Sequence, residues 1–310
     1  KIAVIGENSY KWVVTYMAVA NGTGVIVPLD RELPAKEIHN LINRAGVSAI
    51  VYSKKLTKTV DEALEGIEGI EYRISMAEKE HTEEVMSFDQ LIREGSELVA
   101  QGNREFIGAK IDREAMCTLI FTSGTTGLAK GVMLSHKNIS SNVYNMSKYV
   151  GIEKPGRGLS VLPMHHTFEM TCHVCTAMYQ GMTIVICEGL KYIQKNMQEA
   201  HATVMLGVPL VFETMHKRVF KQVEKAGKRE GMEKLIAASR RLKLYNKPKV
   251  VKKMFEQLHS SIGNEMSLFI AGGAVIDPKV IRDYEAMGVP MIQGYGMTEN
   301  SPIIAVNRDR

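Results

Sequence analysis

The feature of this sequence that most constrains its fold is the alternation of short apolar runs with longer amphipathic stretches. Ten runs have the length of strands, and they are KIAVI, GVIVPL, SAIVY, CTLIFT, GVMLS, LSVL, TIVIC, TVMLG, SLFIA and VPMIQ. Between them, apolar residues recur at helical spacing in residues 9–20, 34–44, 137–149, 167–180, 208–225 and 277–287. Fully apolar strands that alternate with helices are typical of parallel sheets covered on both faces. The sequence therefore predicts an α/β fold.

The number and distribution of these strands predict more than one sheet. Ten strands are many for a single twisted open sheet, and 310 residues are enough for two hydrophobic cores. We therefore expect two mainly parallel sheets with helices in a layered α/β sandwich. The expected subdomains are residues 24–150, and residues 1–20 together with 158–310. A composition of 45% hydrophobic and 24% charged residues excludes a disordered or fibrous chain.

The termini and the cysteines favour a cytosolic chain. No run approaches the ~20 apolar residues of a membrane span, and the chain begins at Lys1 without a signal-peptide pattern. Of the four cysteines, Cys117 and Cys187 lie in apolar runs expected to be buried strands. The stretch CHVC holds Cys172 and Cys175, but the second half of a zinc site is missing. We expect buried, reduced helix cysteines there rather than a metal or redox site.

The net charge of +5 is concentrated in one stretch. Residues 217–253 carry 14 Lys or Arg against three Glu, with apolar residues at helical spacing between them. The ordinary interpretation is a solvated helical face. An alternative is a surface that meets anionic membrane or a polyphosphate. We expect no nucleic-acid partner, because aromatic residues are not interleaved with the charges and no nucleic-acid-binding motif occurs.

The stretch TLIFTSGTTGLAKGVMLSH, residues 118–136, places a polar loop and one lysine between two apolar runs. A Walker loop, G-x-x-x-x-G-K-[ST], would need glycine where Ala129 stands and a hydroxyl where Gly131 stands. The Walker interpretation is therefore disfavoured. Backbone N–H groups, threonine and serine hydroxyls and the charge of Lys130 still suit a polyphosphate.

Four motifs in this order resemble those of the AMP-forming acyl-activating enzymes, the family of acyl-CoA synthetases and adenylation domains. Residues 122–131 match T-S-G-T-T-G-x-P-K-G except at Ala129, where proline is usual. The other three are LPMHHTFE (residues 162–169), AGGA (271–274) and QGYGMTE (293–299). LPMHHTFE and QGYGMTE, with the Asn-Ser-Pro that follows it, look most like the corresponding segments of the long-chain fatty-acyl group. The resemblance covers essentially the whole chain. Losing the proline should make the loop's exit less rigid, without removing a phosphate donor.

The resemblance implies a nucleotide site in two parts. The residues that would hold the β- and γ-phosphates of ATP, with Lys130, are Thr122, Ser123, Gly124, Thr125, Thr126 and Gly127. The residues implied for the adenine site are Gly272, Gly273, Ala274, Gly294, Tyr295 and Gly296, where small residues let the backbone approach the nucleotide and the Tyr295 ring stacks on adenine. Without the motif, a tight turn would explain the glycines and a core position would explain the tyrosine.

The resemblance also implies the catalytic and acyl-binding residues. Thr298 would donate to phosphate, and Glu299 would bind Mg²⁺, which neutralises the charge of the leaving pyrophosphate. His166 aligns with the family histidine that borders the acyl pocket, whereas His165 aligns with a variable position and His173 is expected in the core. A structural histidine remains the alternative for His166. The other expected pocket residues are Gly207, Val208 and Met297, although a helix that starts near Pro209 also explains the first two.

The implied reaction is the ATP-dependent activation of a carboxylic acid, with a fatty acid favoured, to acyl-AMP and then to a coenzyme A thioester. The chain resembles the large N-terminal domain without its C-terminal lid, so we expect the 310 residues alone to bind nucleotide weakly and turn over poorly. Two alternatives stay open. One is an adenylation domain that loads a carrier protein, and the other is a non-catalytic nucleotide-binding or membrane-associated protein on the same scaffold.

Overall fold

A computed structural model of the protein describes residues 1–122, 129–150, 152 and 156–307. The chain forms two compact units, Lys1–Ser140 with Pro163–His166, and Ser141–Leu162 with Thr167–Arg310. Each unit contains one sheet with helices, so the prediction of an α/β fold with two mainly parallel sheets is confirmed. Among the described residues, none of the helices combines the length and the hydropathy that a membrane span requires.

The first unit contains a seven-stranded sheet in the order β5-β4-β3-β1-β2-β6-β7. Its strands are β1 (Ile2–Ile5), β2 (Ile26–Leu29), β3 (Ala49–Tyr52), β4 (Tyr72–Ser75), β5 (Met86–Ser87), β6 (Met116–Thr122) and β7 (Lys130–Ser135). Its helices are α1 (Tyr10–Ala18), a π-helical turn (Val19–Thr23), α2 (Ala35–Ala45), a 3-10 turn (Lys54–Leu56), α3 (Thr57–Leu64) and α4 (Phe88–Ala100). All neighbouring strands are parallel except β6 and β7.

The position of β1 explains how the N-terminal residues group. Ile2 pairs with Ile26 on one side and Ala49 on the other, so β1 is a central strand. Its apolar sequence IAVI suits that place, because a central parallel strand is covered on both faces. The structure therefore groups residues 1–20 with the first sheet, whereas the sequence grouped them with residues 158–310.

The helices of the first unit follow ordinary sequence rules. Helix α1 begins after Ser9, whose Oγ accepts a hydrogen bond from Trp12 N at 3.1 Å. Helix α2 buries Ile38, Leu41, Ile42 and Ala45 against the sheet and ends at Gly46, which has a φ of 62°.

The second unit contains a six-stranded sheet in the order β13-β12-β11-β10-β8-β9. Its strands are β8 (Arg157–Ser160), β9 (Thr183–Ile186), β10 (Val204–Gly207), β11 (Leu268–Ala271), β12 (Met291–Gly296) and β13 (Ile303–Val306), of which only the β12 and β13 pair is antiparallel. Its longer helices are α5 (His136–Tyr149, whose first turn lies in the first unit), α9 (Pro209–Lys225), α10 (Arg229–Arg241) and α13 (Pro278–Ala286). Shorter helices are α6 (Thr167–Glu169), a π-helical segment (Met170–Cys175), α7 (Thr176–Gln180), α8 (Ile193–Glu199), α11 (Pro248–Met254) and α12 (Glu256–Ser261). Three 3-10 turns complete it, at Leu190–Tyr192, Leu244–Asn246 and Thr298–Asn300.

The core of the second unit is aromatic at its centre. Phe269 of β11 lies 5.0 Å from Phe212 and 5.2 Å from Tyr284 between ring centroids. All three side chains are fully buried. Their packing fixes helices α9 and α13 against the sheet and so holds the carboxyl ends of β10 and β11 in place.

Candidate functional site

The two strands that flank the polar loop form an antiparallel pair in the first unit. Thr122 ends β6, Lys130 begins β7, and the two residues are paired directly across the ladder. The loop residues assigned to phosphate, Ser123, Gly124, Thr125, Thr126 and Gly127, lie outside the described residues. Lys130 is exposed, which suits a charge directed at an anionic ligand. The strand pairing brings both flanks of the predicted phosphate loop to one edge of the first sheet.

The exit of the loop is anchored by a residue that the sequence did not single out. Arg44 of α2 donates from Nη1 to the carbonyl oxygen of Ala129 at 2.8 Å, and its guanidinium lies 5.9 Å from the Phe121 ring centroid. Ala129 stands where the family has proline. The hydrogen bond restrains the position at which the missing proline was expected to reduce rigidity.

The two adjacent histidines of LPMHHTFE differ in their surroundings. The rings of His165 and His166 are 4.0 Å apart between centroids. His165 is the more buried, and its Nε2 has no hydrogen-bond partner, since Asp30 Oδ2 lies 3.7 Å away. Burial, with the neighbouring His166 charge, lowers the pKa of His165 to about 4. Burial also lowers the pKa of His166, against the opposing attraction of Asp30. His166 retains an exposed surface and so remains available to a ligand.

We expect His165 to make the stability of the protein depend on pH. The folded-state pKa of about 4 lies below the unfolded value of 6.5, so the unfolded chain binds more protons between these values. The stabilisation is complete above pH 6.5 and is lost as the pH falls towards 4, by about 3 kcal/mol in total. In urea titrations across this window, His165→Gln should flatten the dependence of the unfolding free energy on pH.

The matched control for this prediction is His201→Asn, which removes an exposed histidine. His201 has a φ of 49°, a conformation that asparagine tolerates. The control should show the same dependence of the unfolding free energy on pH as the wild-type protein. An equal dependence in wild type and His165→Gln would contradict the prediction.

In the second unit, three parallel strands bring the remaining motifs to one edge. Gly207 at the end of β10 pairs with Ala271 at the end of β11, and Ala271 pairs with Gln293 of β12. The residues that follow these positions therefore emerge side by side at the carboxyl ends of the strands. This edge is where open α/β sheets place their ligands.

The AGGA turn is packed too closely for larger residues. A methyl group added at Gly272 would lie 2.7 Å from Phe168 Cζ, whereas Gly273 has a φ of 82° that suits glycine. A methyl group at Gly273 would also lie 3.6 Å from Val208 Cγ1, so the turn and the β10 exit are neighbours. Gly273 and Ala274 are exposed at the edge. Steric crowding therefore explains Gly272, while exposure leaves the turn's backbone accessible.

The QGYGMTE segment carries an exposed aromatic ring. Tyr295 keeps 63% of its surface accessible, so it is not a core residue. Gly294 and Gly296 lie on either side of it in β12, and a register shift against β13 occurs at Tyr295 and Gly296. Met297 follows, 44% exposed, with its N–H donating to the carbonyl oxygen of Pro302 at 2.9 Å. The bulged strand pair thus presents the tyrosine ring at the carboxyl edge.

Asn142 of α5 supports this segment, and no sequence motif singled it out. Its Nδ2 donates to the carbonyl oxygens of Asn300 at 3.1 Å and Ile303 at 3.0 Å. Its Oδ1 accepts from Ile303 N at 3.4 Å. The amide side chain therefore fixes the turn that connects β12 to β13.

Thr298 and Glu299 lie in the 3-10 turn Thr298–Asn300, directly after β12 and Met297. Glu299 is exposed and Thr298 is half-buried. Among the described residues, no group of three His, Cys, Asp or Glu forms a cage for a metal ion. An exposed carboxylate beside a hydroxyl nevertheless fits the way proteins bind Mg²⁺ together with a nucleotide, through one or two carboxylates and the phosphates.

A buried hydrogen-bonded pair lies on the helix that follows the two histidines. His173 Nδ1 is 2.7 Å from Glu169 Oε1, and both side chains are almost fully buried. The His173 ring occupies the space that a side chain at Gly158 would need, since a methyl group there would lie 2.1 Å from Nε2. The expectation that His173 is a core residue is confirmed. Its partner Glu169 is the last residue of the LPMHHTFE motif, and the sequence analysis predicted no function for it.

Cys117, Cys172 and Cys187 form no disulfide bond. Cys117 in β6 and Cys172 in the π-helical segment are buried, and Cys175 and Cys187 are half-buried. Burial raises the pKa of the Cys117, Cys172 and Cys187 thiols. Cys187 lies just beyond the end of β9 rather than within a buried strand. Raised thiol pKa values describe structural rather than reactive cysteines.

The chain has two mainly parallel sheets, and a glycine turn and an exposed tyrosine lie at the carboxyl edge of one of them. This is the fold of the N-terminal domain of adenylate-forming enzymes. The chain matches the AMP-binding enzyme family over residues 1–310 and belongs to it. The resemblance that the four motifs indicated is thereby confirmed.

Several relatives of the chain are named as long-chain fatty-acid ligases. The chain is 25% identical to "Long-chain-fatty-acid--[acyl-carrier-protein] ligase AEE15, chloroplastic" of Arabidopsis thaliana, over 98% of this chain and 49% of that protein. It is 26% identical to "Long-chain-fatty-acid--CoA ligase 1" of Cavia porcellus, over 96% of this chain and 45% of that protein. The chain thus spans about half the length of the curated relatives it matches.

Solved structures show the same fold. The inhibitor-bound N-terminal domain of FACL13 from Mycobacterium tuberculosis superposes with a TM-score of 0.66 at 19% identity, covering 97% of this chain and 63% of that chain. FadD1, a long-chain-fatty-acid-CoA ligase from Archaeoglobus fulgidus, gives a TM-score of 0.72 at 19% identity, covering 99% of this chain and 54% of that chain.

Proposed function

We propose that the natural protein containing this chain activates a fatty acid with ATP to form acyl-AMP and pyrophosphate, and then transfers the acyl group to coenzyme A. The observation that carries the proposal is the carboxyl edge of the second sheet, where the exposed Tyr295 lies in the strand next to the AGGA turn and leads to Glu299. The long-chain fatty-acid ligases among the relatives support the choice of acid.

The residues of the chain divide the first half-reaction between them. The loop from Thr122 to Gly127, with Lys130, binds the β- and γ-phosphates and then pyrophosphate. The Tyr295 ring stacks on adenine beside the backbone of residues 272–274. Thr298 donates a hydrogen bond to phosphate, and Glu299 would hold Mg²⁺. When bound, Mg²⁺ neutralises charge on the phosphate oxygens.

We assign the acyl group to the residues that the family motifs imply for it, which are His166 of the first unit and Gly207, Val208 and Met297 of the second. A carboxylate oxygen attacks the α-phosphorus of ATP, a new P–O bond forms, and the bond to the bridging oxygen of pyrophosphate breaks. The protein contributes mainly positioning and charge neutralisation. In the second half-reaction a thiolate attacks the acyl carbonyl carbon, and AMP leaves with the electron pair of the broken C–O bond.

An acyl-carrier protein is the alternative to coenzyme A as the acceptor of the acyl group, and the name of one relative supports it. The Arabidopsis relative is named as a ligase to acyl-carrier protein, whereas the Cavia relative is named as a ligase to CoA. Both acceptors present a thiol to the same acyl-AMP, so the first half-reaction is common to both. Acceptor choice belongs to the second half-reaction.

Pyrophosphate exchange across a panel of carboxylic acids tests the first half-reaction. We expect exchange that depends on Mg²⁺ and is faster with long-chain fatty acids than with acetate or benzoate. Thioester formation is then measured with CoA and with phosphopantetheinylated carrier protein, and we expect CoA to be preferred. A preference for the carrier protein would show that the carrier protein, and not CoA, is the acceptor. Nucleotide binding without pyrophosphate exchange for any acid would favour a non-catalytic protein on this scaffold.

We further propose a cytoplasmic location, with contact to the inner face of the membrane. The free thiols of Cys117, Cys172 and Cys187 support a reducing compartment. Fractionation of cells that express the natural protein tests this, and recovery only from a secreted or periplasmic fraction would contradict it.

A further inference from the structure

The hydrogen bond between Arg44 and Ala129 acts on the peptide group that precedes Lys130. Arg44 lies in the last turn of α2, and its Nη1 donates to the carbonyl oxygen of Ala129 at 2.8 Å. That carbonyl belongs to the peptide group that joins Ala129 to Lys130, the first residue of β7. Because a peptide group is planar, fixing its oxygen also fixes the orientation of the Lys130 N–H. The side chain of Arg44 therefore restrains the backbone from which Lys130 projects.

The same guanidinium contacts the strand on the other side of the polar loop. It lies 5.9 Å from the centroid of the Phe121 ring, within the range of a cation–π interaction. Phe121 of β6 is paired with Gly131 of β7. A methyl group added at Gly131 would lie 3.4 Å from Phe121 Cε1, so the ring lies beside the backbone of β7. One arginine thus contacts the end of β6 and the start of β7 together.

These contacts lie at the position where the chain departs from the family motif. The motif carries proline where this sequence has Ala129. A proline ring fixes φ and so reduces the number of conformations open to the backbone. Alanine does not impose that restriction. A hydrogen bond to the Ala129 carbonyl restricts the same stretch of backbone from outside it.

We propose that Arg44 is a positioning residue for the polyphosphate site, and that its hydrogen bond to Ala129 takes the place of the proline in the family motif. Arg44 acts through the peptide group before Lys130 and not by contact with the ligand. The inference rests on the proposed function in one respect, which is that Lys130 binds phosphate.

A restraint of this kind changes the affinity for ATP and leaves turnover unchanged. When the backbone at Ala129 and Lys130 samples conformations that cannot bind, the apparent dissociation constant rises as the competent fraction falls. The bound complex is the same once it has formed. In pyrophosphate exchange by the natural protein, we expect Arg44→Ala to raise KM for ATP about 10-fold and to change kcat less than about twofold. Since Arg44 is exposed, the variant should fold.

Restoring the proline tests whether the two restraints replace each other. Ala129→Pro keeps the carbonyl oxygen that accepts from Arg44 and adds the fixed φ. In the Arg44→Ala background we expect it to lower KM for ATP about fourfold. In the wild-type background it should change KM less than about 1.5-fold, because Arg44 already restrains the backbone there. A loss in Arg44→Ala that Ala129→Pro does not reduce would overturn the proposal.

The matched control is Arg93→Ala in α4. Arg93 is also exposed, and its Nη2 donates to the carbonyl oxygen of Lys79 at 3.1 Å. Lys79 lies between β4 and β5, at the edge of the first sheet opposite to β6 and β7. The control removes the same charge and the same kind of hydrogen bond, so KM for ATP should stay at the wild-type value. An equal rise of KM in both variants would show a general effect of charge and overturn the proposal.

Two measurements separate this inference from the proposed function. Calorimetric titration with inorganic pyrophosphate and Mg²⁺ needs no acid substrate, and amide hydrogen exchange at Lys130 and Gly131 needs no ligand. We expect Arg44→Ala to bind pyrophosphate about 10-fold more weakly and to exchange these amides faster, and Ala129→Pro to reverse part of both changes. If wild type catalysed no pyrophosphate exchange while these differences held, only the proposed function would fail. Wild-type affinity and amide exchange in Arg44→Ala would overturn the inference, as would a wild-type protein that binds no pyrophosphate.

Discussion

Replacing Glu299 with glutamine is expected to slow acyl-dependent pyrophosphate exchange by about 100-fold or more. Glu299 is the exposed carboxylate that follows the bulged strand and Thr298. Glutamine keeps its size and its acceptor oxygen but removes the negative charge that would hold Mg²⁺. The variant should therefore also need a higher Mg²⁺ concentration for half-maximal exchange, which a magnesium titration measures.

The control for this experiment is Glu265→Gln, an exposed glutamate in the loop between α12 and β11. It changes net charge equally and should leave both the exchange rate and the magnesium titration unchanged. Because both positions are exposed, neither change should lower the unfolding temperature measurably. A Glu299→Gln protein with the wild-type rate and magnesium dependence would remove Glu299 from the proposed machinery.

Gly296→Ala is expected to destabilise the protein by about 3 kcal/mol and to weaken nucleotide binding severely. An added methyl group would lie 2.1 Å from the carbonyl oxygen of Pro302 and 3.2 Å from Ile303 Cα. Both contacts are with backbone, so no side-chain rotation can relieve them. The strands β12 and β13 would have to separate, and the hydrogen bond from Met297 N to Pro302 would be lost. The Tyr295 ring, one residue earlier, would lose its fixed position.

Guanidinium unfolding and calorimetric titration with a non-hydrolysable ATP analogue measure the two effects. The matched control is Gly95→Ala in α4, where an added methyl group meets no atom within 4 Å. That variant should be more stable by about 0.5 kcal/mol, because alanine is the better helix former. Unchanged stability and nucleotide affinity in Gly296→Ala would mean that the strand pair tolerates the insertion.

Much of the fold followed from local patterns. Every helix that the apolar spacing predicted has a counterpart. The ten strand-length runs form ten of the thirteen strands that the structure describes, whereas β4, β5 and β13 were not predicted. The grouping of residues 1–20 did not follow, because the pattern IAVI says only that a strand is buried and not which sheet buries it. That choice depends on pairing with β2 and β3, about 24 and 47 residues away in sequence.

The candidate site was likewise only partly predictable from the sequence. The motifs selected Tyr295 and the AGGA turn, and the structure adds that the ring is exposed and that Phe168 crowds Gly272. The supports were not predictable. Arg44 reaches Ala129 across 85 positions, and Asn142 reaches Asn300 across 158. Neither residue type at either position carries a local signal.

The sequence by itself determined the α/β class, the family and the identity of the polar loop and the QGYGMTE segment, because strand and helix periodicity and short motifs are local properties of a chain. Only the tertiary structure decided which strands share a sheet, which of two adjacent histidines is buried, and which side chains anchor the loop and the β12–β13 turn. It also determined that Arg218, Lys221 and Lys225 of α9 line a groove that has apolar walls. These properties depend on contacts between distant residues, and burial, pairing and charge compensation exist only once such contacts have formed.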